Sequence, residues 1–324
     1  MKLMTEATIP DYPFRLDHQS NILMMGSCFT DNIGRLLEKY LFQVCVNPFG
    51  VTYNPLSVKK GLEALIQRKA YTINDLDHYN NLWFSFDHYT GFSSPDRDDT
   101  LKKINLSFDR AKEMLLKANF LVITWGTAWV YTYKATGEVV CNCHKIPANQ
   151  FTRSRLSTKE IIGAYESFLS SLFELNPNIK VMLTVSPVRH LKEGAHGNQL
   201  SKATLLLAGE TLKKLYPDQL FYFPSYEIVM DELRDYRFYS PDMVHISDQA
   251  TQYIWKKFDQ ALLSNDARNV IKELEPLLKM MGHRPQMQHG EASRKLIKQR
   301  DEKLRLLKNK YPSLAWENML NSLQ

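Results

Sequence analysis

From Asn21 to Leu263, short apolar runs alternate with stretches of helical periodicity, and this alternation is what most limits the fold. "NILMMG" (21–26), "QVCVN" (43–47), "FLVITWG" (120–126), "IKVMLTVSP" (179–187) and "QLFYFPS" (219–225) read as strands. Between them lie helical patterns at 30–42, 57–69, 100–118, 157–175 and 200–215, and another follows at 247–263. Consecutive strands separated by a helix pair parallel, because a parallel crossover needs a dozen or more residues. The pattern predicts an open, mostly parallel α/β sheet with helices on both faces. Local signals agree. Ser157 and Glu160 have capping-box spacing before a helix. "WVYTYKATGEVVCNC" reads as a hairpin turning at Thr136-Gly137. Residues 70–97 are aromatic, polar and irregular, and read as an insertion over a site.

The 324 residues are 44% hydrophobic, enough to bury a full core, which excludes wholesale disorder. No stretch approaches the roughly 18 apolar residues of a membrane span. The opening "MKLMTEATIPDYPFRLD" has no apolar leader core. Four cysteines in such a chain make no disulfide framework, so a cytoplasmic protein with reduced thiols is expected. The net charge of +6 is uneven: residues 279–310 carry ten Lys/Arg against three acids, and the remainder is near neutral. This basic arm is read as a solvated helix face rather than a nucleic-acid surface, since no nucleic-acid motif accompanies it. The expected organisation is a catalytic domain over 1–264 and a basic helical extension over 265–324.

Chemistry concentrates where the first strand ends. Open α/β sheets bind ligands beyond the carboxyl ends of their strands. Gly26-Ser27-Cys28 sits there, and the helix that follows aims its amides and positive dipole end at the same place. A serine at such a turn can attack an acyl carbon while neighbouring amides hold the oxyanion, so Ser27 is the expected nucleophile. Its neighbour Cys28 is read as a buried structural thiol. The base is expected in "SPDMVHISD" (240–248), where Asp242 and His245 are three apart in a loop before a helix. No G-x-S-x-G elbow occurs in the chain.

"GSCF" (26–29), "NPFGVTYNP" (47–55), "WGTAWVY" (125–131), "NCHK" (142–145), "VSPVRHLK" (185–192) and "ELRDYRFYSPDMVH" (232–245) together resemble the GSCFA family of SGNH/GDSL-like hydrolases. The resemblance implies a flavodoxin-like three-layer α/β/α sandwich and a Ser-His-Asp esterase or deacylase acting on a short O-acyl ester, on a glycan or lipid-like substrate. Position by position, Ser27 matches the nucleophile, Asp242 and His245 the catalytic pair, and Gly50 the glycine whose amide joins the oxyanion hole. The third block departs: Gly126-Thr127-Ala128 has no asparagine where the superfamily has an oxyanion donor. Asn47, Thr127 and Asn142 are the candidate replacements. Arg189 and Lys145 are candidates for an anionic substrate group. "CNCH" (141–144) lacks a second ligand cluster, so no zinc is expected, nor any other metal or cofactor. Two other outcomes fit the same residues: an acyltransferase with the same triad, and a catalytically weak binding module.

Overall fold

The computed structural model describes residues 4–282 and 291–321. The chain divides into two compact units, one of Met1–Pro10, Asn21–Gly34 and Val44–Ile254, the other of Asp11–Ser20, Arg35–Gln43 and Trp255–Gln324. The strands are β1 (Asn21–Gly26), β2 (Gln43–Val46), β3 (Asp77–Tyr79), β4 (Leu82–Phe84), β5 (Phe120–Trp125), β6 (Trp129–Tyr133), β7 (Val139–Val140), β8 (Phe151–Arg155), β9 (Lys180–Val185) and β10 (Leu220–Tyr222). The helices are α1 (Cys28–Lys39), α2 (Pro55–Gln67), α3 (Arg97–Lys117), α4 (Thr158–Leu175), α5 (Gly194–Leu215), the single turn α6 (Ser225–Glu227), α7 (Asp248–Leu262), α8 (Asn265–Gly282), α9 (Glu291–Lys310) and α10 (Trp316–Asn321).

Five strands form the central sheet in the order β10-β9-β5-β1-β2, and the β1–β5, β5–β9 and β9–β10 pairs are all parallel. This is the flavodoxin-like order that the family resemblance implies, with its switch point between β1 and β5. Both faces of these strands are apolar. Leu23, Met25, Leu121, Ile123, Val181 and Leu183 pack with residues of α2, α3, α4 and α5. Ile22, Met24, Val122 and Met182 are buried on the opposite face. Such continuous apolar strands are what a sheet covered on both sides requires.

Two smaller sheets were only partly legible. The expected hairpin exists as β6 and β7, but β8 joins it on the other side to make three strands. The segment 70–97 holds the β3–β4 hairpin, and Tyr71, Phe84 and His88 of it are buried. His88 lies between Phe49, Tyr71 and Phe92 at 4.8–5.1 Å, and Phe84 stacks on His144 at 4.2 Å.

The second unit has its own core of Leu41, Leu274, Leu277, Leu307, Leu314, Trp316 and Met319. The C-terminal helices α8, α9 and α10 contribute to this core. They share this unit with two N-terminal segments: the Leu16 amide donates to Leu262 O (2.6 Å), and the Ala315 amide to Leu41 O (3.1 Å). The cut at Ile254 falls inside α7. Residues 283–290 of the basic arm lie outside the described residues. Among those described, no helix is long and apolar enough to cross a membrane.

Candidate active site

The β1–α1 turn is fixed by backbone chemistry. Gly26 has φ of +146°, and a Cβ there would stand 2.2 Å from the Thr124 carbonyl oxygen of β5. Only glycine fits that close approach. The Ser27 amide continues the ladder by donating to Thr124 O (3.2 Å). α1 begins at Cys28, two residues earlier than the periodicity predicts, and Ser27 caps it by accepting from the Phe29 amide (3.3 Å). Thr30 and Asp31, either of which could cap a helix starting near 30, serve elsewhere. Thr30 donates its hydroxyl to Thr124 Oγ1 (2.7 Å), and Asp31 accepts from Asn47 Nδ2 (2.5 Å).

This shift decides which side chain meets ligand. A cavity of about 500 Å³ opens at the ends of β1, β5 and β9, within the range of small-molecule sites. Cys28 lines it; Ser27 does not and is fully buried. Cys28, read as a buried thiol, is half-buried on the cavity wall, and Ser27 lies behind it. Burial, then Asp31, raises the Cys28 thiol; the Cys28 and Phe29 amides and the Lys202 ammonium pull it back.

His245 lines the same cavity. Its Nδ1–H donates to Asp242 Oδ2 at 2.6 Å, while Asp242 Oδ1 accepts from the Val244 and His245 amides, both at 2.9 Å. The imidazole, followed by those amides, holds the Asp242 carboxyl down to about 2. The loop is pinned at its base, where Ser240 N donates to His245 O (2.8 Å) and Ser247 N to Phe238 O (2.9 Å). The Asp-x-x-His spacing therefore delivers the pairing it suggested. Nδ1 is committed to the carboxylate, which fixes the orientation of the ring.

The oxyanion candidates divide. Gly50 adopts φ of +77° against Tyr89, and its amide is spent on Asn47 O (2.7 Å). It does not line the cavity. Asn47 is structural: its Oδ1 accepts from the Gly26 amide (2.8 Å) and its Nδ2 serves Asp31. The "NPFGVTYN" segment instead braces the strand ends. Thr52 N donates to Gly26 O, and Tyr53 O accepts from the Gly126 and Thr127 amides. Thr127 and Asn142 both line the cavity. The Thr127 hydroxyl is engaged with Ser201 (3.1 Å), whereas Asn142 spends only its oxygen, on the His144 amide (2.8 Å).

Arg189 lines the cavity, together with Lys192 and Arg153. Arg153 is paired with Glu193 and lies over the Trp129 and Tyr131 rings; Lys192 donates to the Tyr131 hydroxyl (2.6 Å). Lys145 is exposed and lies off the wall. Cys141 and Cys143 border the cavity, but His144 turns away to donate from Nε2 to Ser85 O (3.0 Å). No residue of 70–97 lines the cavity, so that segment is not a cover over it.

Two further groups escaped the sequence reading. His190 lines the cavity; its buried Nε2 has no hydrogen-bond partner among the described residues. A Cβ built on Gly126 would lie 3.2 Å from that nitrogen and 3.4 Å from Ser27 Cβ, so the ring sits at the cavity floor. Burial, then Lys202, lowers it to about 4, so it is neutral at ordinary pH. Lys202 of α5 is fully buried and donates to Gly126 O and Ser186 O, both at 2.6 Å. It ties together the ends of β5 and β9, and burial brings it down to about 7. A lysine three residues before Leu205, on the buried stripe of a helix, is the signal that marks it.

Among solved structures, the chain is similar to a candidate platelet activating factor from Streptococcus pneumonia (12% identity, TM-score 0.37, 74% of this chain and 83% of that one). It is also similar to a carbohydrate esterase family 3 protein from Talaromyces cellulolyticus (10%, 0.31, 78% and 99%). A third is an acetyl xylan esterase from Butyrivibrio proteoclasticus (12%, 0.30, 84% and 66%). No curated protein matches the sequence. The sequence model of the GSCFA family matches residues 21–258, which takes in β1, the β1–α1 turn, the Asp242–His245 loop and most of α7, and the chain belongs to the GSCFA family.

Proposed function

We propose that the cavity hydrolyses a short-chain O-acyl ester by nucleophilic acyl transfer, as the likeness to SGNH/GDSL hydrolases implies. The observation that carries this reading is His245: its Nδ1 is held by Asp242 at 2.6 Å, and it shares one cavity with the head of α1. In this reading His245 Nε2 takes the proton of the nucleophile and later returns it to the leaving alcohol. Asp242 fixes the tautomer and stabilises the imidazolium. The Phe29 and Thr30 amides are engaged by Ser27, so the head of α1 acts on an oxyanion through its positive dipole end, and the Asn142 amide is the nearest match to the missing third-block asparagine. Trp129 and Tyr131 give the wall an aromatic surface for the alcohol part.

The test is turnover of p-nitrophenyl acetate by the full chain. Wild type should turn over. His245→Ala should lose about 1,000-fold in kcat, and Asp242→Asn about 100-fold, with KM little changed. A folded His245→Ala variant with wild-type kcat would contradict the reading. Transfer to an added alcohol in preference to water would make the protein an acyltransferase with the same residues.

A further inference from the structure

We propose that the nucleophile is Cys28, not Ser27, so that the acyl group passes through a thioester. This rests on the acyl-transfer reading above and deepens it.

The argument is one of position. Ser27 is the cap of α1: it is fully buried, its oxygen accepts from the Phe29 amide, and its own amide is held by Thr124 O. To attack, its hydroxyl would have to leave the cap and reach a wall that it does not line. Cys28 is the first residue of α1 and stands on the cavity wall with His245. It stands at the positive end of the helix, where the Cys28 and Phe29 amides act to lower the thiol.

The charged groups around the sulfur divide. Lys202 favours a thiolate, and Asp31 opposes it. His190 is neutral, and Tyr53 is pushed up to about 12, chiefly by burial. Burial outweighs the favourable partners and keeps Cys28 a thiol at rest. A base is therefore needed at the moment of attack, and the Asp242–His245 pair supplies it.

The step balances without any co-reactant. The Sγ–H proton passes to His245 Nε2 as the S–C bond forms. Collapse of the tetrahedral intermediate breaks the C–O bond of the ester, and His245 returns the proton to the departing oxygen. Water then attacks the thioester, His245 accepts its proton, and collapse breaks the C–S bond and restores the thiol.

The chemistry also narrows the substrate. A thiolate leaves a tetrahedral intermediate far more readily than an alkoxide, because leaving ability follows acidity. A cysteine nucleophile therefore favours acyl donors with a good leaving group, acyl thioesters and aryl esters, over simple alkyl esters.

The experiment uses the full chain with two probes, p-nitrophenyl acetate and an acetyl thioester of a small thiol. Acid-quenched enzyme is mapped by peptide mass. The acetyl group should be found on the Cys28 peptide at the thiol, and iodoacetamide should modify Cys28 and remove turnover. Cys28→Ala should lose about 100-fold or more, and Cys28→Ser, which keeps the size, should lose about as much. Ser27→Ala should melt at a lower temperature yet still carry acetyl-Cys28. Folding of each variant is checked by thermal unfolding. Acetyl on Ser27, or a folded Cys28→Ala variant with near-wild-type turnover, overturns the assignment while leaving the acyl-transfer reading intact. If wild type turns over neither probe, that reading fails and the assignment falls with it.

Discussion

At the scale of single residues, one position separates the sequence reading from the structure. "GSCFTD" contains three good capping residues, Ser27, Thr30 and Asp31. Placing the cap at Thr30 or Asp31 leaves Ser27 in an open turn; placing it at Ser27 buries Ser27 and brings Cys28 to the wall. What decides is the β1 ladder, which runs on through the Ser27 amide, and the claims of Thr124 and Asn47 on the other two caps. Those are contacts between distant segments, and no local pattern carries them. Asp242 and His245 were legible because their interaction is local, one turn closed by its own carboxylate. Lys202 is the residue whose loss should be felt most widely. Lys202→Met removes the donor to two buried carbonyls, Gly126 O and Ser186 O. Unsatisfied buried acceptors cost about 1–3 kcal/mol each, partly offset by no longer burying an ammonium, so destabilisation of about 2–4 kcal/mol is expected. Chemical denaturation measures it, and an unchanged midpoint would show that Lys202 holds nothing.

At the scale of elements, the parallel strands and their crossover helices were legible because each is long, apolar and regular. The start of α2 shows the limit. Ser57 reads as its cap, but Asn54 takes that place, accepting from the Ser57 amide at 2.9 Å, with Pro55 at the first helical position. β8 and the β3–β4 hairpin escaped because "FTRSR", "DHY" and "LWF" are short and owe their pairing to partners far along the chain. Gly50, expected at the oxyanion hole from the resemblance, sits in a turn of its own. Its left-handed φ lets the chain turn beneath Tyr89, and the turn consumes the amide an oxyanion would need.

At the scale of the whole molecule, the parallel sheet brings residues more than 200 positions apart in sequence, Cys28 and His245, to one cavity. The sheet unit also carries an acid liability. Burial lowers His88, His144 and His190 each to about 4, against an ordinary value near 6.5. Between those values the unfolded chain binds more protons than the folded one. Stability is therefore full above about pH 6.5 and falls as pH drops toward 4. For His88, which is almost wholly buried, the loss by pH 4 is about 3 kcal/mol. His88→Phe, packed among the same rings, should flatten that part of the slope. Melting temperatures of both proteins between about pH 7.5 and 4.5 check this, and parallel slopes would count against it.

The central claim is that the cavity forms a covalent acyl-enzyme with the help of His245. Mixing the full chain with excess p-nitrophenyl acetate in a stopped-flow instrument reads this directly, because acylation releases p-nitrophenolate before any slower deacylation. The account predicts a burst approaching one p-nitrophenolate per chain in wild type and none on that timescale in His245→Ala. A burst of equal amplitude and rate in folded His245→Ala, or steady release from the wild type without an acylated chain at any time, would contradict it.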